Sequence, residues 1–292
     1  MPSPEAGEVV VEVKAAGINP IDAKLRDGRR ASSPITAPRT AGLDGAGVIV
    51  AVGEGVDGWV EGDEVIVTKG RGTYATHVCV PVDGLTRKPG ALSWAQAAGL
   101  GIPAGTAYQA LRSLGVTEGM TVLVHAASGS VGQAAVQFAR ELGATVIGTA
   151  GPANQERVRQ LGAIPTLYGE GLVERVHAIG PAGVDRVLDV VGTDDAIRAS
   201  FELVDDRSHI GTIVRGADAD GWGIQAWSGG SPHPLTAEQE AWRAEGIALA
   251  AQLAAEGRFD VEIARAFPLD AVVEATELAE QGSARGKIVL LP

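Results

Sequence analysis

The chain has 292 residues, 45% of them hydrophobic and 21% charged, with 40 glycines, which is a globular composition long enough for two domains and a well-buried core. A formal net charge of -12 argues against nucleic acid as a partner, because phosphate binding needs a basic face. The single cysteine, Cys79, rules out an intrachain disulfide, and no apolar run reaches membrane-spanning length.

Residues 8–98 read as β-rich. Strands are predicted at 8–14, 45–53, 63–67 and 73–81, separated by turn signals at Asp57-Gly58, Gly62 and Asp83-Gly84. Val78 and Val80 share one face of the last of these. A small barrel follows from this pattern. From Ser93 the spacing becomes helical, over 95–101 and 105–115. A buried strand at 121–125 then enters the turn A-A-S-G-S-V-G, which opens a helix carrying Val131, Ala135, Phe138, Ala139 and Leu142. Gly143 ends that helix, and a second apolar strand follows at 145–148. Further strands are predicted at 184–191 and 209–214, and a long amphipathic helix at 237–255. The stretch 228–234, S-G-G-S-P-H-P, reads as a surface loop. The tail gives a strand at 261–267, a helix at 271–281 and a strand at 287–291. Alternating strands and helices predict an α/β protein with a parallel, doubly wound sheet. The expected domains are 1–98, completed by 259–292, and 99–258.

The strand–turn–helix–strand run from 118 to 151 is suited to a pyrophosphate. Small residues let backbone approach the phosphates, and the helix N-terminus points unpaired N–H groups at the charge. Ala127, Gly129 and Gly132 stand at the three glycine positions of G-x-G-x-x-G. Gly129 is where backbone should approach the ligand, and Gly132 is where helix and strand should pack. Ser128, Ser130 and Val131 complete the expected phosphate site. The competing reading is a tight strand–helix turn in another doubly wound fold. The second strand ends Gly148-Thr149-Ala150-Gly151, without the acid that would bind ribose hydroxyls and repel a 2′-phosphate, which favours NADPH over NADH. Val190 and Val191 end the fourth strand at the edge where ligands bind, with Gly211 and Ile213 one strand over.

These features combine with A-A-G-I-N-P-I-D-A-K (15–24), A-G-L-D-G-A-G-V-I (41–49), V-E-G-D-E-V (60–65), G-T-Y-A (72–75), G-T-A-Y-Q-A-L (105–111), L-D-V-V-G (188–192) and A-R-G-K-I-V-L (284–290). In this set the chain resembles the medium-chain dehydrogenase/reductase superfamily, and within it the zinc-independent quinone oxidoreductase branch, which includes the zeta-crystallin-like proteins. The resemblance implies a GroES-like β-barrel domain and a Rossmann domain. It implies NADPH-dependent hydride transfer to a quinone or an α,β-unsaturated carbonyl, in a cytoplasmic homodimer. It places Thr106 beside the pyridine ring and Tyr168 near the adenosine end. Asn154 stands where the family often has a Lys; Arg157 or Arg159 either compensates or is an ordinary exposed helix charge. Zinc-dependent relatives place a Cys where this chain has Asn19 and a His where it has Leu43, so a metal-free site is expected. Family members also carry a further strand pair before the segment that here begins directly after Met1, and its loss would open a barrel edge.

A metal-free site must polarise an acceptor carbonyl with hydrogen bonds and supply a proton. Asn19, Asp22, Lys24 and Tyr74 are the candidates for the cleft. Asn19 is assigned both to the cofactor and to catalysis. Asp22 equally suits a turn brace, Lys24 a solvated charge, and Tyr74 a packing role. Two other functions fit the same residues: an enoyl-thioester reductase, or an NADPH-binding sensor or structural protein with little catalysis. Residues 223–228 are the expected dimer edge.

Overall fold

The computed structural model describes residues 1–28, 39–227, 233–282 and 284–292. The chain divides into two units, residues 1–102 with 247–292, and residues 103–246. The first stretch of chain forms β1 (Glu8–Gly17), α1 (Pro20–Arg26), β2 (Asp44–Val52), β3 (Glu64–Val67), β4 (His77–Pro81), β5 (Leu85–Arg87) and α2 (Trp94–Ser113). Next come β6 (Thr121–Val124), α3 (Ser130–Glu141), β7 (Thr145–Ala150), α4 (Gln155–Gln160), β8 (Ile164–Leu167), α5 (Leu172–Ile179), β9 (Arg186–Asp189) and α6 (Asp194–Leu203). The remainder is β10 (Ile210–Thr212), α7 (Gly216–Trp222), β11 (Gln225–Ala226), α8 (Ala237–Ala255), β12 (Ile263–Pro268), α9 (Val272–Glu280) and β13 (Lys287–Leu291).

The sheet of the first unit has the order β12-β13-β1-β2-β3-β5, with β4 also paired to β1. β1 reads E-V-V-V-E-V-K-A-A-G, and Val9, Val10 and Val11 are wholly buried, flanked by β2 on one edge and β4 on the other, while β13 takes over from β4 at Ala16 and Gly17. Val9, Val11, Val13, Ile49, Val65 and Leu290 form the centre of its core. Gly47 allows β2 to close on β1: a Cβ there would meet the Glu12 carbonyl oxygen at 2.0 Å.

The sheet of the second unit is β11-β10-β9-β6-β7-β8, parallel throughout. Counted from β6 this is the doubly wound order, with the chain stepping outward through β7 and β8 and then crossing to β9 on the other side of β6. Loops diverge at the carboxyl ends of β6 and β9, and that divergence opens a crevice. Leu123, Ile147, Val187 and Ile210 pack the sheet against Val176 and Ile197 of the flanking helices.

Four sequence expectations are corrected here. The two helical segments at 95–101 and 105–115 are one helix, α2, running through Pro103. Pro103 denies the Gly99 carbonyl its N–H, but burial of Ala97, Ala98, Leu100, Ala104, Ala107 and Leu111 holds the helix together. The strand expected from 73 begins only at His77, because the Thr73 and Tyr74 N–H groups are taken by the carbonyls of Gly42 and Ala41, at 3.2 and 2.9 Å. The strand expected to reach 191 stops at Asp189, whose carboxylate accepts the N–H groups of Val191 and Gly192 and turns the chain. The chain re-enters the first unit at 247 rather than 259, since the second half of α8 is buried at Ala250, Ala251 and Leu253 and lines a groove with Thr86, Arg87 and Pro89. Of the predicted loop and dimer edge, residues 228–232, including Ser228, lie outside the described residues. No described helix is long and apolar enough to cross a membrane.

Candidate functional site

In the second unit, β6 ends in a turn that the protein holds tightly. Ala126 sits in the left-handed region at φ 52°, the only non-glycine residue with positive φ among the described residues. Its N–H donates to the Thr149 hydroxyl at 3.0 Å, and the Ala127 N–H donates to the Thr149 carbonyl at 2.9 Å. The end of β7 thus clamps the turn. The two glycines that follow have different reasons to be glycine. A Cβ on Gly132 would lie 2.2 Å from the Ala126 oxygen and 2.8 Å from the Ala127 Cα, so packing of α3 on the turn demands it. A Cβ on Gly129 would meet nothing closer than 3.6 Å, so the fold alone does not. Gly129 is the N-cap of α3, with Ser130 and Val131 opening the helix. The N–H groups of that first turn are suited to an anion.

Beside the turn lies a cleft of about 490 Å³ at the carboxyl edge of the sheet. Of the residues expected at a cofactor, Ser128, Thr149, Ala150, Gly151, Tyr168 and Val191 line it. Asn154, which stands where the family often has a Lys, lines it too; His125, Thr193 and Asp195 also line it and were not assigned from sequence. No Lys or Arg is among the described lining residues, and Asp195 is ion-paired with Arg198. His125 is buried, with Nε2 3.0 Å from the Ser200 hydroxyl. Ser200 spends its own hydrogen on the Ala196 carbonyl at 2.7 Å, so His125 Nε2 is the donor. Burial pushes this imidazole down to about 4, and it is neutral at physiological pH.

The other expected cofactor residues lie outside the cleft lining. Arg157 is turned inward, its Nε and Nη2 donating to Gln133 Oε1 at 3.0 and 2.6 Å. Gln133 in turn donates to the Ser128 carbonyl at 2.9 Å, so Arg157 braces the turn after β6 from behind. Arg159 is exposed and paired with Glu156. Gly211 makes room for Trp227, whose ring would come within 2.4 Å of a Cβ there. Val190 is half-buried, and the Ile213 N–H donates to the Asp189 carbonyl at 3.2 Å. Thr106 is buried in α2 and accepts from Arg243 at 3.3 Å.

In the first unit, the three catalytic candidates meet in one polar cluster. Asn19 caps α1, and its backbone N–H donates to Asp22 Oδ2 at 2.9 Å, the carboxylate half of a capping box. Tyr74 donates its hydroxyl to the same oxygen at 2.9 Å. Asp22 Oδ1 is buried without a partner. Burial pushes the Asp22 carboxyl up to about 6, and burial together with the adjacent Asp22 pushes the Tyr74 phenol up as well. Asp22 is therefore both the turn brace and a group poised to hold a proton. The Asn19 side chain is engaged within the protein: Nδ2 donates to Asp44 Oδ2 at 3.0 Å and to the Gly17 carbonyl at 3.3 Å, and Oδ1 accepts from Lys287. Lys24 is only half-buried and stands apart from these bonds. Sequence reading missed Asp44 and Lys287; a Lys opening the apolar run K-I-V-L-L was the available signal.

Family models for an alcohol dehydrogenase GroES-like domain and for a zinc-binding dehydrogenase match residues 5–90 and 161–290. A quinone oxidoreductase from Lama guanicoe is 38% identical over 197 residues, 65% of this chain and 59% of that protein. The synaptic vesicle membrane protein VAT-1 homolog of Rattus norvegicus is 37% identical over 201 residues, 68% of this chain and 50% of that protein. The matched region thus spans between half and three fifths of the length of these relatives. The structure of Escherichia coli quinone oxidoreductase complexed with NADPH superposes with a TM-score of 0.83 at 28% identity, covering 100% of this chain and 94% of that one. The zinc implied by one matched description does not fit the residues present. Asn19 and Leu43 stand at the expected ligand positions, the Asn19 carbonyl faces a lysine, and no group of three His, Cys, Asp or Glu suited to a metal occurs among the described residues.

Two outcomes follow from this geometry. Gly132→Ala should cost about 3 kcal/mol of stability by overpacking, while Gly129→Ala should melt within a degree or two of the parent; thermal unfolding distinguishes them. Asp22 holds its proton more tightly folded (about 6) than unfolded (3.8), so its ionisation opposes folding. That penalty is absent below about pH 4, grows to about pH 6 and then stays constant, reaching at most about 3 kcal/mol. Urea unfolding of Asp22→Asn should show stability relative to the parent rising across that window and flat above it. An unchanging difference from pH 4 to 8 would contradict it.

Proposed function

This chain belongs to the medium-chain dehydrogenase/reductase superfamily, and on that premise we propose that it is an NADPH-dependent oxidoreductase that delivers hydride to a quinone or an α,β-unsaturated carbonyl without a metal. The observation that carries the reading is the cleft at the strand crossover, with α3 aimed at it and Gly129 left bare where packing does not require a glycine. When bound, the dinucleotide supplies the hydride from its nicotinamide.

The protein's part is to bind, orient and protonate. The N–H groups at the start of α3 receive the pyrophosphate, and the absent Cβ of Gly129 lets it approach. Thr149 holds the turn in place from β7, and the Arg157–Gln133–Ser128 chain holds it from the other side. Around the end of β7, Gly151 replaces the acid that would favour NADH, and Ser128, Asn154 and Tyr168 offer neutral hydrogen bonds to a 2′-phosphate. Reducing a quinone or a conjugated carbonyl adds one hydride and one proton. Asp22 keeps its proton to about pH 6; for that proton to serve the developing oxyanion, the Tyr74 hydroxyl turns its own hydrogen from Asp22 Oδ2 to the oxyanion and accepts the Asp22 proton in its place. Asn19, saturated by its protein partners, sets the position of Asp22. A homodimer is the assembly that accompanies this reading, paired through β11, the terminal strand of its sheet.

Oxidation of NADPH and of NADH against a panel of quinones, enals and enones, with a chelator present, tests the proposal. Chelator-insensitive turnover that favours NADPH supports it; NADPH binding without turnover on any acceptor sinks it and leaves a binding or sensing protein. Turnover should fall as pH rises through about 6, and Asp22→Asn should lower it by roughly a hundredfold and flatten that limb. Because no Lys or Arg lines the cleft among the described residues, Asn154→Lys should tighten NADPH by about tenfold, one charge-assisted hydrogen bond, and leave NADH unchanged.

A further inference from the structure

Lys287 opens β13 at a position buried on every side, where an apolar residue would serve the sheet. The fold has made a slot for it. A Cβ on Gly17 of β1 would lie 2.3 Å from the Ala98 carbonyl oxygen and 2.9 Å from Lys287 Cε, and one on Gly99 of α2 would lie 3.1 Å from Val261 Cγ1 and 3.4 Å from Lys287 Cγ, so both glycines border the lysine without being set by it alone. A third glycine, Gly101, makes room for Asp44: a Cβ there would be 2.2 Å from Asp44 Oδ1. At the end of the slot Lys287 Nζ donates to Asn19 Oδ1 and stands 3.6 Å from Asp44 Oδ2. Asp44 Oδ2 also accepts the Ile102 N–H at 2.9 Å, while Asp44 Oδ1 is buried without a partner. Glycines on two elements, a wholly buried carboxylate and a lysine that reaches one amide oxygen are too specific an arrangement for packing alone.

We propose that Lys287 is a positioning residue: its N–H donation to Asn19 fixes that side chain, and through Asn19 the Asp22–Tyr74 pair that delivers the proton. The role rests on the oxidoreductase reading above. Asp44 balances the charge of Lys287, and its own hydrogen bond from Asn19 Nδ2 pins the other end of the amide. With both ends held, Asn19 cannot turn, and its backbone N–H stays aimed at Asp22 Oδ2. The charged and titratable groups that meet here are Asp22 of α1, Asp44 of β2, Tyr74 of the loop before β4 and Lys287 of β13. Arg26, also on α1, is spent on Asp27 and on Glu280 of α9 at the outer surface. Burial pushes Asp44 up and Lys287 down, so removing either alone would strand the other.

The test therefore neutralises the pair in two ways. Asp44→Asn combined with Lys287→Met removes the donor that position 287 gives Asn19 Oδ1; Asp44→Asn combined with Lys287→Gln restores a neutral N–H donor there, and the position-44 amide is the same in both. Both double variants should unfold at similar temperatures and show the parental KM for NADPH within about twofold. The Met version should lose at least tenfold in kcat, and the Gln version should recover to within about threefold of the parent. Equal kcat in the two, whether high or low, overturns the proposal. Hydrogen exchange of the Asn19 side-chain amide is read by NMR in the same pair. It should be slow with Gln and fast with Met, and equal rates also overturn the assignment. This second readout does not need turnover. A parent protein that binds NADPH but reduces nothing would thus fail the oxidoreductase reading while the amide still decides the positioning of Asn19.

Discussion

A carboxylate placed wholly out of water must be answered by its surroundings, and the interior of the first unit is arranged around answering Asp44. Its side chain receives an amide from α1, a backbone N–H from α2 and a nearby lysine from β13, and its carbonyl receives the Thr73 hydroxyl at 2.9 Å. Those groups come from parts of the chain that share no local sequence. The cost of burying one charge is offset only when all of them arrive together, so the cluster specifies the arrangement of β1, α1, α2 and β13 more sharply than apolar packing would. Asp22 and Tyr74 inherit their positions from it. Thr73, fastened to the Asp44 carbonyl, precedes Tyr74 directly, and Asn19, fastened to the Asp44 side chain, supplies the N–H that Asp22 accepts.

The second unit solves a different problem, that of exposing backbone N–H groups without letting the turn that carries them drift. Thr149 grips the turn from β7, and Arg157 reaches it through Gln133. A long cation that looks from sequence like a phosphate ligand serves here as scaffolding. Among the described residues the cleft lining carries no charge apart from the Asp195 carboxylate, and it offers hydroxyls, amides and backbone.

What the sequence made legible was local. The strand–turn–helix pattern placed α3 and β6 within a residue or two, and the glycine spacing separated packing at Gly132 from open space at Gly129 because both are properties of one short turn. The long helix α8 and the final strand β13 fell where periodicity put them. Features set by distant partners were not legible. Asn19 and Lys287 are 268 residues apart, and nothing in either neighbourhood announces the other. Helical spacing gave two segments, 95–101 and 105–115, yet burial of the flanking residues carries α2 through Pro103 as one helix. Arg157 reads as an exposed helix charge or a ligand, and only tertiary contact shows it turned inward. Asp22 could be seen as a brace or as chemistry; the fold makes one oxygen do the first and leaves the other bare.

Ala126 carries a consequence for the unfolded chain. In the left-handed region an alanine bears a strain of about 1–2 kcal/mol that a glycine would escape. Glycine, however, would enlarge the ensemble of unfolded conformations and loosen the empty turn, since its backbone moves as readily on either side of φ zero. By keeping a Cβ at this corner the chain incurs the ordering cost when it folds. A ligand entering the cleft then meets a turn already shaped, and the entropy it would otherwise have to overcome on arrival has been removed beforehand.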